Sequence, residues 1–256
     1  MKNWLFLIVI LFASCEDSPI DPIDIGNIEE IDVDITVSSD NIPEDLIVWY
    51  PFNNNSNDES GNELHATPFD AILDVDRHNV VNSSYKFSIN KTVRSEKDNI
   101  LITEHDDKMN VESFTLFAWI KPHEKTGEFR DKPSTIMSRW DGDDLEDIFR
   151  FQILDNGEIH LQLNNDSFFS GYIIEYDTWS HVAVSYDKGV IKFYVNSILV
   201  NLTQTETIID QNISHLTIGE TWMKNGYWYN FNGNLDDVGI SNGSLTECEI
   251  KKLYEL

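Results

Sequence analysis

From Leu46 onward the chain is built of short apolar and polar alternations broken by Asn, Asp, Gly and Ser, the pattern of half-buried strands joined by tight turns. Leu46 to Phe52 opens the series. Ser84 to Ile89, Ile100 to Thr103, Phe114 to Ile120, Ile148 to Leu154 and Glu158 to Asn164 follow, then Thr178 to Asp187, Val190 to Val195, Ser197 to Leu202, Leu216 to Gly219 and Phe231 to Ile240. Between Phe114 and Ile120, residues Phe114, Leu116, Ala118 and Ile120 share one face. Phe117 and Trp119 make the opposite face apolar too, so this strand is expected to be covered on both sides. Asp155-Asn156-Gly157 and Lys188-Gly189 are hairpin turns by composition. Helical periodicity appears only at the end, where Thr246-Glu247-Cys248-Glu249 has the form of a capping box and Ile250, Leu253 and Tyr254 make a small apolar face. The pattern predicts an all-β, two-sheet antiparallel sandwich over residues 46–256 with a short C-terminal helix, and Trp119, Trp179 and Tyr186 in its core.

The segment before it reads differently. Residues 15–45 are rich in acids, contain Pro19, Pro22 and Pro43, and hold no Lys or Arg, which predicts an extended, self-repelling tether. Ile31, Val33 and Ile35 alternate with acids there, so a weakly held edge strand is the other reading. Glu30 to Asp34 is similar to the carboxylate-bearing strand of some β-sandwich glycanases, but its last acid is an aspartate one place early. Upstream, Leu5 to Ala13 is apolar and too short for a permanent membrane span, which assigns residues 1–14 to an export signal. Leu11-Phe12-Ala13-Ser14-Cys15 resembles the lipobox of bacterial lipoproteins. That resemblance implies a lipid on Cys15 and a place on the bacterial outer membrane or cell surface, with the anchor as the chain's contact with membrane. A plain secretory signal or an uncleaved anchor helix are the alternatives.

Charge narrows the partners. With 45 acidic against 18 basic residues, the formal net charge is −27, a surface that repels nucleic acid and anionic lipid. Such acidity serves solubility in a salty exterior, or supplies oxygen ligands for Ca²⁺. Of the two cysteines, a lipidated Cys15 leaves Cys248 alone, so an intrachain disulfide is not expected and Cys248 is read as a packing residue.

Several stretches resemble, in order, the laminin-G-like jelly rolls of the concanavalin A-like lectin and glucanase superfamily. They are Trp49 to Phe52, Asp58 to Asn62, Phe114 to Ile120, Trp179 to Asp187, Tyr194 to Asn196, Phe231 to Val238 and Leu245 to Tyr254. Asn196-Ser197 departs from the family's usual Asn-Gly turn. The resemblance implies a jelly-roll fold and a function drawn from lectins, adhesion modules, concealed accessory domains and glycosidases. In relatives the Asp-x-Ser-Gly-Asn turn and the acid near the last strand come together, often around calcium. This implies Asp58 and Asp236 as candidate ligands of a structural Ca²⁺, with Asn53, Ser60, Gly61 and Asn62 adding oxygens. Without a metal, Asp58 would cap its own turn and Asp236 would accept backbone hydrogen bonds.

Sugar binding needs exposed aromatic faces beside polar side chains. Trp222 to Asn230 is the densest such cluster, and Trp222, Tyr227, Trp228 and, separately, Trp140 are the candidate ligand-binding residues; Phe168, Phe169 and Tyr172 are weaker ones. Packing of alternate rings under a sheet edge is the competing reading. The acidic run Asp141 to Asp147 lacks the spacing of a calcium loop and is read as solvated. The histidines form no zinc pattern, and no carboxylate pair at catalytic spacing is recognisable; Glu104 to Asp107 and Glu158 are the acids to test for hydrolysis. The reading is therefore a surface-tethered carbohydrate-binding or adhesion lipoprotein, with a glycoside hydrolase or a protein-binding envelope module as alternatives.

Overall fold

The computed structural model describes residues 42–88, 99–127, 130–140, 148–209, 211, 213–221 and 229–256. In chain order its strands are β1 (Leu46–Tyr50), β2 (Thr67–Phe69), β3 (Ile72–Asp74), β4 (Ser84–Phe87), β5 (Ile100–Thr103), β6 (Ser113–Pro122), β7 (Ser134–Arg139) and β8 (Phe149–Ile153). There follow β9 (Glu158–Leu163), β10 (Asp166–Ile173), β11 (Ser180–Asp187), β12 (Val190–Val195), β13 (Ile198–Gln204), β14 (Leu216–Ile218) and β15 (Gly233–Asn242), then helix α1 (Glu247–Tyr254). One sheet has the order β13-β12-β11-β6-β15-β4-β3, with β1 also paired to β15; the other runs β10-β9-β8-β7-β14-β5-β2. All pairings are antiparallel, so the predicted two-sheet sandwich is the observed one.

Alternation places the core. Phe149, Phe151 and Ile153 of β8, Ile159, Leu161 and Leu163 of β9, and Leu216 and Ile218 of β14 face Leu116, Ala118, Val182, Val184, Phe193, Leu235 and Ile240 of the other sheet. Full burial of each large aliphatic or aromatic side chain is worth ~1.5–3 kcal/mol. Four strands were not legible in the sequence. β2 and β3 are three-residue edges. β7 carries a bulge between Thr135 and Met137, which puts Ile136 and Met137 side by side and breaks the period of two. The register of β10 shifts between Phe169 and Ile173.

The two-sided burial expected for residues 114–120 has a clear cause. On the outer face of the larger sheet, Phe117, Ala183 and Tyr194 form a second cluster with Leu46, Leu245, Ile250 and Leu253, so α1 covers the middle of that sheet. The predicted capping box starts the helix: Thr246 Oγ1 accepts from Glu249 N, and Glu249 Oε2 accepts from Thr246 N at 2.7 Å. Tyr254 stacks on Trp119 at 5.3 Å between centroids. Trp119 and Tyr186 are buried as expected, whereas Trp179 is half-buried. Cys248 is disulfide-bonded in this structure, whereas the expectation of no intrachain disulfide was for a chain whose Cys15 carries lipid.

Hairpin geometry follows the residues at the turns. Gly157 and Gly189 sit at positive φ, as their turns require. The Asn196-Ser197 turn has φ of 48° and 64°, so two non-glycine residues hold the left-handed conformation that the family's usual Asn-Gly relieves. Gly239 is different, because proximity rather than φ fixes it: a Cβ there would stand 2.3 Å from Cζ of Phe117. Gly239→Ala is therefore expected to destabilise by ~1–3 kcal/mol through overpacking under α1, read as a lowered thermal midpoint.

Candidate functional site

On β8 and β9 the residues between core positions point to the outer face of the smaller sheet: Arg150 and Gln152, then Glu158, His160 and Gln162. Cross-strand register joins them into rows. One row runs Ser167, Gln162, Arg150, Ser138, Thr217, Ile102 and Thr67 across seven strands. A second runs Phe169, His160, Gln152 and Thr135. Where the first row is buried, hydroxyls satisfy one another, as in Ser138 Oγ and Thr217 Oγ1 at 2.9 Å.

Rings stand at both ends of this polar strip. Phe169 is 48% exposed and lies 5.2 Å from the His160 ring, centroid to centroid. At the other end the Arg150 guanidinium lies over Trp140 at 4.9 Å and over Tyr229 at 5.8 Å. Gln152 Nε2 donates to Thr135 Oγ1, which also bonds Thr221 Oγ1 at 2.8 Å, and Thr135 N donates to Tyr229 O at 2.7 Å. Thr221 and Tyr229 flank the aromatic run singled out in the sequence, so both ends of that run are tied to this face through Thr135. Trp222, Tyr227 and Trp228 themselves lie outside the described residues, as do Asp141 to Asp147 and Cys15.

Burial, with Arg150 nearby, pushes the His160 imidazole down to about 4, partly offset by Glu158, so the ring is neutral at pH 7. Its Nδ1 has no partner among the described residues. Gln152 and His160 are buried, so the hydrogen-bonding groups of this face that reach solvent are the half-buried Gln162 and Arg150, beside the exposed Phe169 ring. His160, Gln152, Gln162 and Arg150 were not singled out from the sequence, because alternation marks them as polar and outward without showing that rings flank them. Among the acids named for hydrolysis, Glu158 is on this face and accepts from Gly171 N at 2.9 Å. Glu104 pairs with His215, Asp106 caps a short helical turn and Asp107 pairs with His105, so these three are engaged elsewhere.

The proposed calcium residues are arranged otherwise than expected. Asp58 accepts from Trp49 N, Ser60 N, Ser60 Oγ and Leu64 N, all at 2.9 to 3.0 Å, so both of its oxygens organise their own turn. Asn53 is exposed and Gly61 is a left-handed turn residue. Asp236 is held by Arg77 Nη1, which also reaches Asp237 at 2.8 Å. With hydrogen-bond donors on one carboxylate and a guanidinium on the other, Asp58 and Asp236 do not fit a shared calcium ion; no group of three or more His, Cys, Asp or Glu converges on a metal position among the described residues.

The Arg77 cluster has its own chemistry. One guanidinium, lying 4.7 Å from the centroid of the Trp119 ring, faces two buried neighbouring carboxylates, and Trp49 Nε1 donates to Asp237 at 3.2 Å. Burial, then repulsion from Asp237, raises Asp236 from 3.8 to about 8 despite Arg77, and burial raises Asp237 as well. Burial and mutual repulsion therefore favour a proton on the pair, against the pull of Arg77. Asp236 binds that proton more tightly when folded, so its contribution is fully present below pH 3.8 and is lost as pH rises through about 8. Asp236→Asn is expected to flatten the pH dependence of the melting temperature across that window. Arg77→Met leaves buried acids without their cation and is expected to cost ~3–5 kcal/mol at pH 7. Calcium and a chelator are expected to leave the melting temperature of the parent unchanged; a rise with calcium would restore the metal reading.

Comparison with known proteins places this architecture. A family model described as the concanavalin A-like lectin/glucanases superfamily matches residues 94–251. No curated protein sequence matches the chain. Among solved structures, the binding domain of Paraclostridial Mosquitocidal Protein 1 is similar, with 16% identity and a TM-score of 0.65 over 82% of this chain and 52% of that one. The botulinum neurotoxin type C structure, from work on cell entry dependent on two ganglioside molecules, has 17% identity and a TM-score of 0.61 over 85% of this chain and 52% of that one. Domain 4 of AbnA, a GH43 extracellular arabinanase from Geobacillus stearothermophilus, in complex with arabinotriose, has 17% identity and a TM-score of 0.57 over 82% of this chain and 98% of that one. The chain spans about half the length of the first two of these solved chains. At these identities the solved structures speak to the fold, and the family match covers more than half of the chain: the protein belongs to the concanavalin A-like lectin/glucanase superfamily.

Proposed function

We propose that this protein is a surface-tethered glycan-binding module whose outer face on the smaller sheet, from Phe169 to Trp140 and Tyr229, takes the sugar. The observation that carries the reading is the two cross-strand rows there, with hydrogen-bonding side chains bounded by rings. A pyranose has an apolar face and a rim of hydroxyls, so it can stack on a ring while the half-buried Gln162 amide and Arg150 guanidinium bind its rim. Trp222 and Trp228 belong to the same reading, because the residues on either side of their run are anchored to this face. The similar structures include a domain in complex with arabinotriose and a toxin whose cell entry depends on gangliosides, which supports carbohydrate as the ligand class. Cys15 would carry the lipid that holds the module at the bacterial surface, with residues 15–45 as the tether.

Polysaccharide affinity gels and a glycan array test the first part. Retention is expected for the parent, and Phe169→Ala, Trp140→Ala, Trp222→Ala and Trp228→Ala are each expected to weaken it ~10-fold, the loss of ~1.4 kcal/mol of stacking. Failure of the parent to bind any glycan would overturn the reading. Intact mass and thiol titration of protein extracted from the envelope test the anchor. Acylation would consume the Cys15 thiol, so a chain that starts at an acylated Cys15 is expected to carry Cys248, disulfide-bonded in the structure, as a titratable thiol. Because the chain has two cysteines, a species with no acyl mass and no titratable thiol would mean that Cys15 and Cys248 are joined instead.

A further inference from the structure

Where β11 turns into β12, the hairpin, the entry to β6 and the segment after β13 enclose a cavity of about 540 Å³, the size of a small-ligand site. One wall, residues 205–208, has no regular secondary structure, yet hydrogen bonds fix it along its length. Thr205 N donates to Gly189 O at 2.8 Å, Thr207 N donates to Thr205 Oγ1 at 3.0 Å, and Thr207 Oγ1 donates to Asp166. Tyr186 OH donates to Thr207 O at 2.6 Å and Asn164 Nδ2 to Ile208 O at 2.8 Å. The wall approaches the hairpin so closely that a Cβ on Gly189 would stand 2.4 Å from Thr205 O. A wall already held in this way costs a ligand little further ordering.

This wall presents an isoleucine. Ile208 is 78% exposed although its carbonyl is pinned, while Ile209 beside it packs partly against the core. Three charged side chains share the lining, Glu112, Glu206 and Lys188, all exposed and none of them ion-paired among the described residues. Tyr186 is the one aromatic residue of the described lining, and at 3% exposed it offers no face on which a sugar could stack. Two anions and a cation around aliphatic surface make a chemistry different from that of the smaller sheet's outer face.

We infer that this cavity binds a short basic peptide segment, with a lysine or arginine side chain held by Glu112 and Glu206 and an aliphatic neighbour against Ile208 and Ile209. Lys188 is then left to a carbonyl oxygen of the same peptide. The net charge of −27 draws such a cation in from a distance, and it turns away the chain's own acidic residues 15–45 as an occupant. A free amine carries the charge but nothing to cover the isoleucines, so the apolar half of the lining selects a peptide.

Titration calorimetry of the purified full chain with the tripeptides Lys-Leu-Lys and Glu-Leu-Glu, both blocked at their termini, tests this. One-to-one binding is expected for the first and none for the second. Glu112→Gln, Glu206→Gln and Ile208→Ser are each expected to weaken it ~10-fold, with an unchanged melting temperature because all three side chains are exposed. Ile72→Ser, at another exposed isoleucine on β3, is expected to change nothing. A parent that binds neither tripeptide, or both alike, would overturn the inference. So would binding of Lys-Leu-Lys that none of the three cavity variants weakens, because the acidic surface at large would then be holding the cation.

Discussion

The central strands β6, β11 and β15 are apolar or close-packed on both faces, and a strand of that kind needs cover twice. The other sheet supplies one cover through Leu116, Val182, Leu235 and their neighbours. Helix α1 supplies the second through Ile250 and Leu253 over Phe117, Ala183 and Tyr194. Such tight layers leave little room, which is why Gly239 lies directly under the Phe117 ring. Because α1 occupies the outer face of the larger sheet, the outer face of the smaller sheet is where a broad polar surface with rings at its ends can form.

The two outer faces also differ in charge. Beside Trp119, one guanidinium, Arg77, faces two buried carboxylates, and burial and their repulsion raise both. His181 sits close by, and burial pushes it down to about 3, so it adds no charge to the cluster. These groups are locked in packing. On the smaller sheet, by contrast, Gln162 and Arg150 are half-buried and Phe169 is open, the condition for recognition rather than for cohesion.

Edge strands bound both sheets. A sandwich has edges that a closed barrel lacks, and each must be shortened, bent, charged or paired. Asp74, Pro68 and the irregular middle of β10 do this locally. β13 is bent by the extra residue Val200.

The sequence by itself determined the strands whose alternation is regular, the hairpins at Asn156-Gly157 and Lys188-Gly189, the double burial of residues 114–120 and the capped terminal helix. These are local: period, turn residues and a capping box act over a few positions. It missed β7, because a bulge sets two apolar residues side by side, and β10, because its ladder is interrupted. The tertiary structure alone decided which polar residues share a face. His160, Gln152 and Arg150 become neighbours of Phe169 and Trp140 only through pairing between strands. Likewise, nothing near Asp236 in the chain announces that Arg77, 159 positions away, closes on it and takes the place expected for a cation. Spacing along a chain carries periodicity, whereas register across a sheet brings together residues whose separation in sequence holds no pattern.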